Sequence, residues 1–332
     1  MKVNVATKNN LRTHEGAPAR CINAEQQLRR SLMACLLWED TFYEDGISIA
    51  ERIASLVPLV APDTVSGMAI EARERMKLRH APLWVVREMA KQPNHKGLVA
   101  ETLSRVIQRA DELAEFVALY WKDGRQPLSK QVKKGLAQAF TKFDAYQLAK
   151  YNRDGAVKLR DVLFLCHAKP KDKEQEAIWK QLIDGSLPAP DTWEVNLSTG
   201  KDKKATWERL LAKNKLGGLA LLRNLRNMKE ASVDASLIKN ALEGMKVERV
   251  LPFRFIAAAR YAPQWEPELE AAMLKCLGVQ EKLPGHTVLL VDVSGSMGYA
   301  VSSKSDITRM DAACGVAMLA RVICDKVDIF PF

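Results

Sequence analysis

Residues 286–298 read HTVLLVDVSGSMG. The first six, 286–291, are a nearly unbroken β-branched and apolar run that leads straight into a loop carrying Asp292, Ser294, Gly295, Ser296 and Gly298. A short apolar run bounded by turn residues reads as a strand, and one without a polar face reads as buried on both sides, as in a parallel sheet. Beyond the loop the pattern is helical over 310–324 and strand-like again over 327–332. Strand, loop, helix, strand is the start of a doubly wound α/β domain, and such sheets bind ligands at the carboxyl ends of their strands, where DVSGS lies. Two strands and one helix have too little core to stand alone. The piece is expected to be a fragment or the product of a split gene, to be completed by another chain, or to dock on the helices before it, with the first of these preferred.

The loop has the chemistry of a hard-cation site. Alternation places one carboxylate (Asp292) and two hydroxyls (Ser294, Ser296) around a turn that its glycines allow to bend, and such oxygens suit Mg²⁺ or a similar divalent ion. The competing reading is a serine-rich turn at a strand end. Enzymatic readings fail on spacing: a nucleophile elbow needs GxSxG, a phosphate loop needs GxxxxGK[ST], and neither is present. No catalytic residue emerges, and the chain is expected not to be an enzyme.

Upstream, the texture changes at Leu283-Pro284-Gly285. From Asn23 to about Lys282 apolar stripes recur at helical spacing, punctuated by PD, QPN, DGRQP, KPKD, LPAPD and APQWEP. Asn23 with Gln26 predicts a capped start to the first helix, whose stripe is Leu28, Leu32, Met33, Cys35 and Leu36. Further helices are predicted over 98–109, 112–121, 130–140, 159–166, 215–227 and 268–276. Many short helices in series without a dominant heptad suit stacked pairs of the HEAT or armadillo kind. The fold class is therefore mostly α, a helical-repeat domain over 22–284 after a flexible tail at 1–21, followed by a β-α-β piece over 285–332.

A chain of 332 residues that is 47% hydrophobic and 27% charged is too long for one ordinary core. No run has the roughly 18 uncharged apolar residues that span a bilayer, and the first twenty residues lack the apolar region of a secretory signal, so a cytoplasmic protein without a membrane partner is expected. Six cysteines without a CxxC pair indicate neither a zinc ribbon nor a disulfide framework, and most should be buried thiols. The formal charge of +10 is concentrated: residues 130–171 hold ten basic and three acidic side chains, and 201–229 nine and two. These windows sum to +14, against −4 for the rest. Such a footprint fits a polyanion, most often nucleic acid; the alternative is a set of ordinary solvated helix faces. Lys133, Lys134, Lys201, Lys203 and Lys204 are read as supporting field. Trp38, Trp84, Trp121, Trp179 and Trp207 are read as core anchors because they fall among apolar helix positions.

Two resemblances follow from these residues. VLLVDVSGSMG is similar to the first strand and metal-ion-dependent adhesion loop of von Willebrand factor A domains, in which a Thr and an Asp from later loops complete the ion site; here those would lie beyond Phe332, leaving a half-built site. The order of KFDAYQLAKYNRDGAVKLRDVLFLCHAKP, LGGLALLRNLRNM, LPFRFIAAARY, WEPELEAAM and VLLVDVSGSMG resembles the TROVE-domain proteins of the Ro 60 kDa autoantigen family. That resemblance implies a ring of HEAT-like repeats closed by the von Willebrand factor A domain. It also implies Y RNA on an outer basic face, single-stranded ends of misfolded RNA in a central hole, a role in RNA quality control, and an exoribonuclease partner. Carried over by motif, the outer face includes Lys150, Arg153 and His167, with Lys158, Arg160 and Lys169 added from the charge cluster. For His167 the local alternative is a helix C-terminal role, complementing the macrodipole. Arg223 and Arg226 are candidates for the ring interior, and Asn224 and Asn227 for hydrogen bonds between repeats. The rival to an RNA-binding scaffold, for which no DNA specificity is expected, is a helical adaptor whose Asp292-Ser294-Ser296 ion receives a partner's carboxylate.

Overall fold

The computed structural model describes residues 22–33, 46–198, 202–248, 250–278, 281–301 and 307–332, together with Arg12, Gly16 and Gly200. The expected tail at 1–21, the Cys35 and Leu36 end of the first stripe, Trp38 and Lys201 lie outside the described residues. The chain divides into two units, 1–190 and 191–332.

In the first unit the helices are α1 (Ala24–Met33), α2 (Gly46–Leu56), α3 (Pro62–Glu74), α4 (His80–Lys91), α5 (Lys96–Val106), α6 (Asp111–Tyr120), α7 (Lys130–Phe140), α8 (Ala145–Tyr151), α9 (Leu159–Cys166) and α10 (Lys173–Asp184). Most pack on the helix two further along: α1 on α3, α2 on α4, α3 on α5, α4 on α6, α5 on α7, α7 on α9 and α8 on α10, while α6 packs on α7 and α9. That ladder is the packing of stacked helix pairs, in which a repeat buries its apolar stripe only against its neighbours. The stripes meet in one continuous core from Leu28 to Leu182, with Phe116 and Phe140 fully buried. Burying each such ring is worth roughly 1.5–3 kcal/mol. The expected cap of α1 is present: Gln26 N–H donates to Asn23 Oδ1 at 2.8 Å and Asn23 N–H to Gln26 Oε1 at 3.3 Å.

The second unit holds α11 (Trp193–Ser198), α12 (Lys203–Ala212), α13 (Gly218–Glu230), α14 (Ala235–Glu243), α15 (Phe253–Tyr261), α16 (Glu266–Gly278), β1 (Leu283–Val291), α17 (Arg309–Ile323) and β2 (Cys324–Pro331). The ladder continues through α12 on α14, α13 on α15, α14 on α16 and α15 on α17 around a separate core from Trp207 to Cys276. β1 and β2 pair in parallel, His286 opposite Lys326 through Val291 opposite Pro331. The two-sided burial expected of β1 is not observed: Val288 and Leu290 are 55% and 70% exposed, whereas Thr287 and Leu289 are half-buried. In this two-stranded sheet α17 packs on both strands, so only alternate residues are covered. Cys166, Cys276 and Cys324 are buried free thiols, as expected, while Cys314 is exposed. No described helix is long and apolar enough to cross a membrane.

Candidate nucleic-acid interface

The first basic window folds into α7, α8, α9 and the turns between them. Ser129 caps α7, its Oγ accepting from Val132 N–H at 3.4 Å. A reciprocal Asp144–Gln147 box starts α8: Gln147 N–H donates to Asp144 Oδ1 at 2.7 Å and Asp144 N–H to Gln147 Oε1 at 3.1 Å. Asp161 accepts from Lys158 N–H at 3.0 Å at the start of α9. That helix ends at His167, which adopts a left-handed conformation, φ 51° and ψ 42°. His167 N–H then reaches Phe164 O at 3.3 Å and Ala168 N–H reaches Leu163 O at 3.4 Å, the paired bonds of a Schellman closure. A non-glycine residue there carries a conformational cost of about 1 kcal/mol.

Of the residues carried over by motif, Arg153 and His167 are exposed and Lys150 is half-buried. Lys150 Nζ sits 5.8 Å from the Tyr146 ring centre and 5.6 Å from that of Tyr151, which holds the ammonium beside two aromatic faces. Lys169 is exposed, Arg160 is exposed 3.9 Å from Asp161, and Lys158 is paired with Asp154 at 2.7 Å. Among the described residues no carboxylate forms an ion pair with Lys133, Lys134, Lys150, Arg153 or Lys169. Lys142 is different: its ammonium donates to Ser104 O and, at 3.0 Å, to Ile107 O, capping the C-terminal end of α5, and burial pushes its pKa down. Cys166, beside His167, is a buried thiol pushed up to about 11 by desolvation and hence unreactive.

His167 shares a surface groove of about 500 Å³ with Lys133, Arg125, Trp121 and Phe164. Trp121 packs against the core from its edge and also lines this groove. It follows α6, half-buried, with its indole N–H donating to Gln126 O at 2.7 Å. Trp84, Trp179 and Trp207 do anchor cores. Arg125 and Phe164 went unnamed in the sequence, although Phe164 stands at i+4 from Arg160 and three before His167, on the solvent stripe of α9.

The second window supplies a cleft of about 650 Å³ between α13 and α15, lined by Arg223, Arg226, Arg254, Arg260 and Tyr261. Arg226 pairs with Glu230 and Arg260 with Asp311, each at 2.9 Å. The asparagines of α13 do not bridge repeats: Asn224 Nδ2 donates to Ala220 O at 2.8 Å and Asn227 Nδ2 to Asn224 Oδ1 at 2.9 Å, all within one helix. Lys203 and Lys204 are exposed at the start of α12, where Lys204 lies 3.8 Å from Glu208.

At the end of β1, Asp292 Oδ1 accepts from Ser294 N–H at 2.8 Å, and the Ser294 and Ser296 hydroxyl oxygens are 3.1 Å apart. The Ser294 hydrogen bonds hold the Asp292 carboxyl below its usual range. Three hard oxygens in one loop fit part of the shell of a divalent ion. No cluster of three or more His, Cys, Asp or Glu side chains able to hold a metal occurs among the described residues.

The TROVE domain family model matches residues 184–282, which holds the arginine-lined face of α13 and α15. Within that segment the chain is similar to the TROVE domain. Telomerase protein component 1 of Mus musculus is 33% identical over 91 residues, 26% of this chain, and that of Rattus norvegicus 32% over the same length. The chain spans only 4% of those relatives. The crystal structure of the RO (RSR) protein of Deinococcus radiodurans matches 93% of this chain and 75% of its own at a TM-score of 0.66 and 20% identity, which establishes a shared fold. The expected fold class, helical repeats followed by a β-α-β unit, is thereby found both in the elements and in the likeness. Lys150, Arg153 and His167 lie outside the segment matched by the TROVE model.

Proposed function

We propose that this chain, whose residues 184–282 match the TROVE domain model, is an RNA-binding component of a ribonucleoprotein. The observation that carries the reading is the exposure, without carboxylate partners among the described residues, of Lys134, Arg153, His167 and Lys169 around α7 and α9, with Lys133 half-buried beside them. Lysine and arginine neutralise phosphates and release counterions, and histidine donates a hydrogen bond to phosphate or stacks on a base. The arginines of the α13–α15 cleft offer a second surface suited to a flexible strand.

The finer reading is a small structured, Y-like noncoding RNA on the outer basic face and single-stranded ends of misfolded RNA at the arginine cleft, in RNA quality control beside an exoribonuclease. The chain itself performs no chemistry on the RNA and works in the cytoplasm. A divalent ion, Mg²⁺ by donor chemistry, would be held by Asp292, Ser294 and Ser296, with water or a partner's carboxylate filling its remaining positions. Sequencing the RNA that copurifies with the chain tests this: enrichment of small structured RNAs is expected, and RNA no different from that of a mock purification would refute it.

A further inference from the structure

The groove beside His167 contains more than a phosphate-binding face needs. Phe164 is 58% exposed on a helix that buries Leu159, Val162, Leu163 and Cys166. Facing the same space is the Trp121 indole, fixed by its bond to Gln126 O, with the Arg125 guanidinium 4.9 Å from its ring centre. Lys133 and His167 complete the lining, and an adjoining cleft of about 370 Å³ shares Trp121, Arg125 and Phe164. The one carboxylate there, Asp161, is engaged by Lys158 N–H at 3.0 Å and lies 3.9 Å from Arg160. The exposed Phe164 ring and the half-buried Trp121 indole, ringed by cations, combine a stacking surface with an anion field. Its size falls in the roughly 300–1,000 Å³ range of small-molecule sites.

We propose that this groove takes an unpaired nucleobase of RNA, stacked on Phe164 beside Trp121, with the flanking phosphates on Arg125, Lys133 and His167. The inference rests on the RNA-binding reading for its polyanion and adds the class of element recognised: a bulged, looped or single-stranded nucleotide, since a base inside a duplex has no free face to stack. An acidic peptide would satisfy the charge but not the paired rings.

The test measures binding of the full chain to three labelled probes: a riboadenylate decamer, an abasic ribose-phosphate decamer of equal charge, and a blunt RNA duplex. The adenylate should bind about tenfold more tightly than the abasic strand. Phe164→Ala and Phe164→Leu should each erase that preference with the thermal melt unchanged, Phe164→Trp should keep it, and duplex binding should be the same in all. Equal binding of adenylate and abasic strand while the duplex still binds overturns this inference alone. So does a preference that survives Phe164→Ala, or displacement of the adenylate by a glutamate decapeptide. Failure to bind any RNA removes the underlying reading as well.

Discussion

Arg260 Nη2 lies 2.9 Å from Asp311 Oδ1, tying α15 to α17 within the second unit. Asp311 also accepts from the N–H and hydroxyl of Thr308, both at 2.8 Å, and Thr308 in turn caps α17. Thr308 first, then Arg260, holds the Asp311 carboxyl down at about 2. A folded-state pKa below the unfolded value of about 3.9 gives stability that is present above that value and lost as pH falls toward about 2. Asp311→Asn should cost about 1 kcal/mol at neutral pH and flatten the acid limb of stability between these values, read from urea midpoints across pH. An acid limb identical to wild type would count against this contact.

His167 is strained where it stands, so function and stability should separate there. His167→Gly relieves the left-handed backbone and should raise stability by up to about 1 kcal/mol while weakening structured-RNA binding. Paired calorimetry and binding curves decide it, and a loss of stability with intact binding would return His167 to a purely helix-terminal role.

Gly135 lets α7 approach α5. A Cβ there would meet Ala100 O at 2.8 Å and Leu103 Cβ at 2.9 Å, and backbone cannot yield as a flexible side chain can. Gly135→Ala should destabilise by about 1–3 kcal/mol, seen as a lower urea midpoint at unchanged slope. A midpoint equal to wild type would show that the helices separate freely.

If Asp292, Ser294 and Ser296 hold Mg²⁺, the ion at ten times its dissociation constant should stabilise the chain by about 1.4 kcal/mol, and Asp292→Ala should abolish the shift. A thermal shift of equal size in Asp292→Ala would place the ion elsewhere.

Much of the architecture was legible because amphipathic stripes are local: α7 and α9 fall where their periodicity ends. α13 begins at Gly218 rather than 215, because Asn214 turns left-handed at φ 49° and Gly217 stands as the N-cap. The division after Pro190 falls in the LPAPD break, but that break reads like the other interruptions between helices, and only packing between segments distant in sequence singles it out. The same holds for the groove, whose Arg125, Lys133 and His167 come from three separate segments. The apolar neighbours of Trp121 place it beside the core, whereas its share in the groove follows from its position just past the last turn of α6.

The most direct measurement is the affinity of the full chain for a structured RNA across a series of salt concentrations. The account predicts that log K falls steeply and linearly with log salt, and that Lys150→Ala with His167→Ala weakens binding and reduces the slope by about one to two while the circular-dichroism melt is unchanged. A flat plot, or a double variant with wild-type affinity and slope, would contradict it.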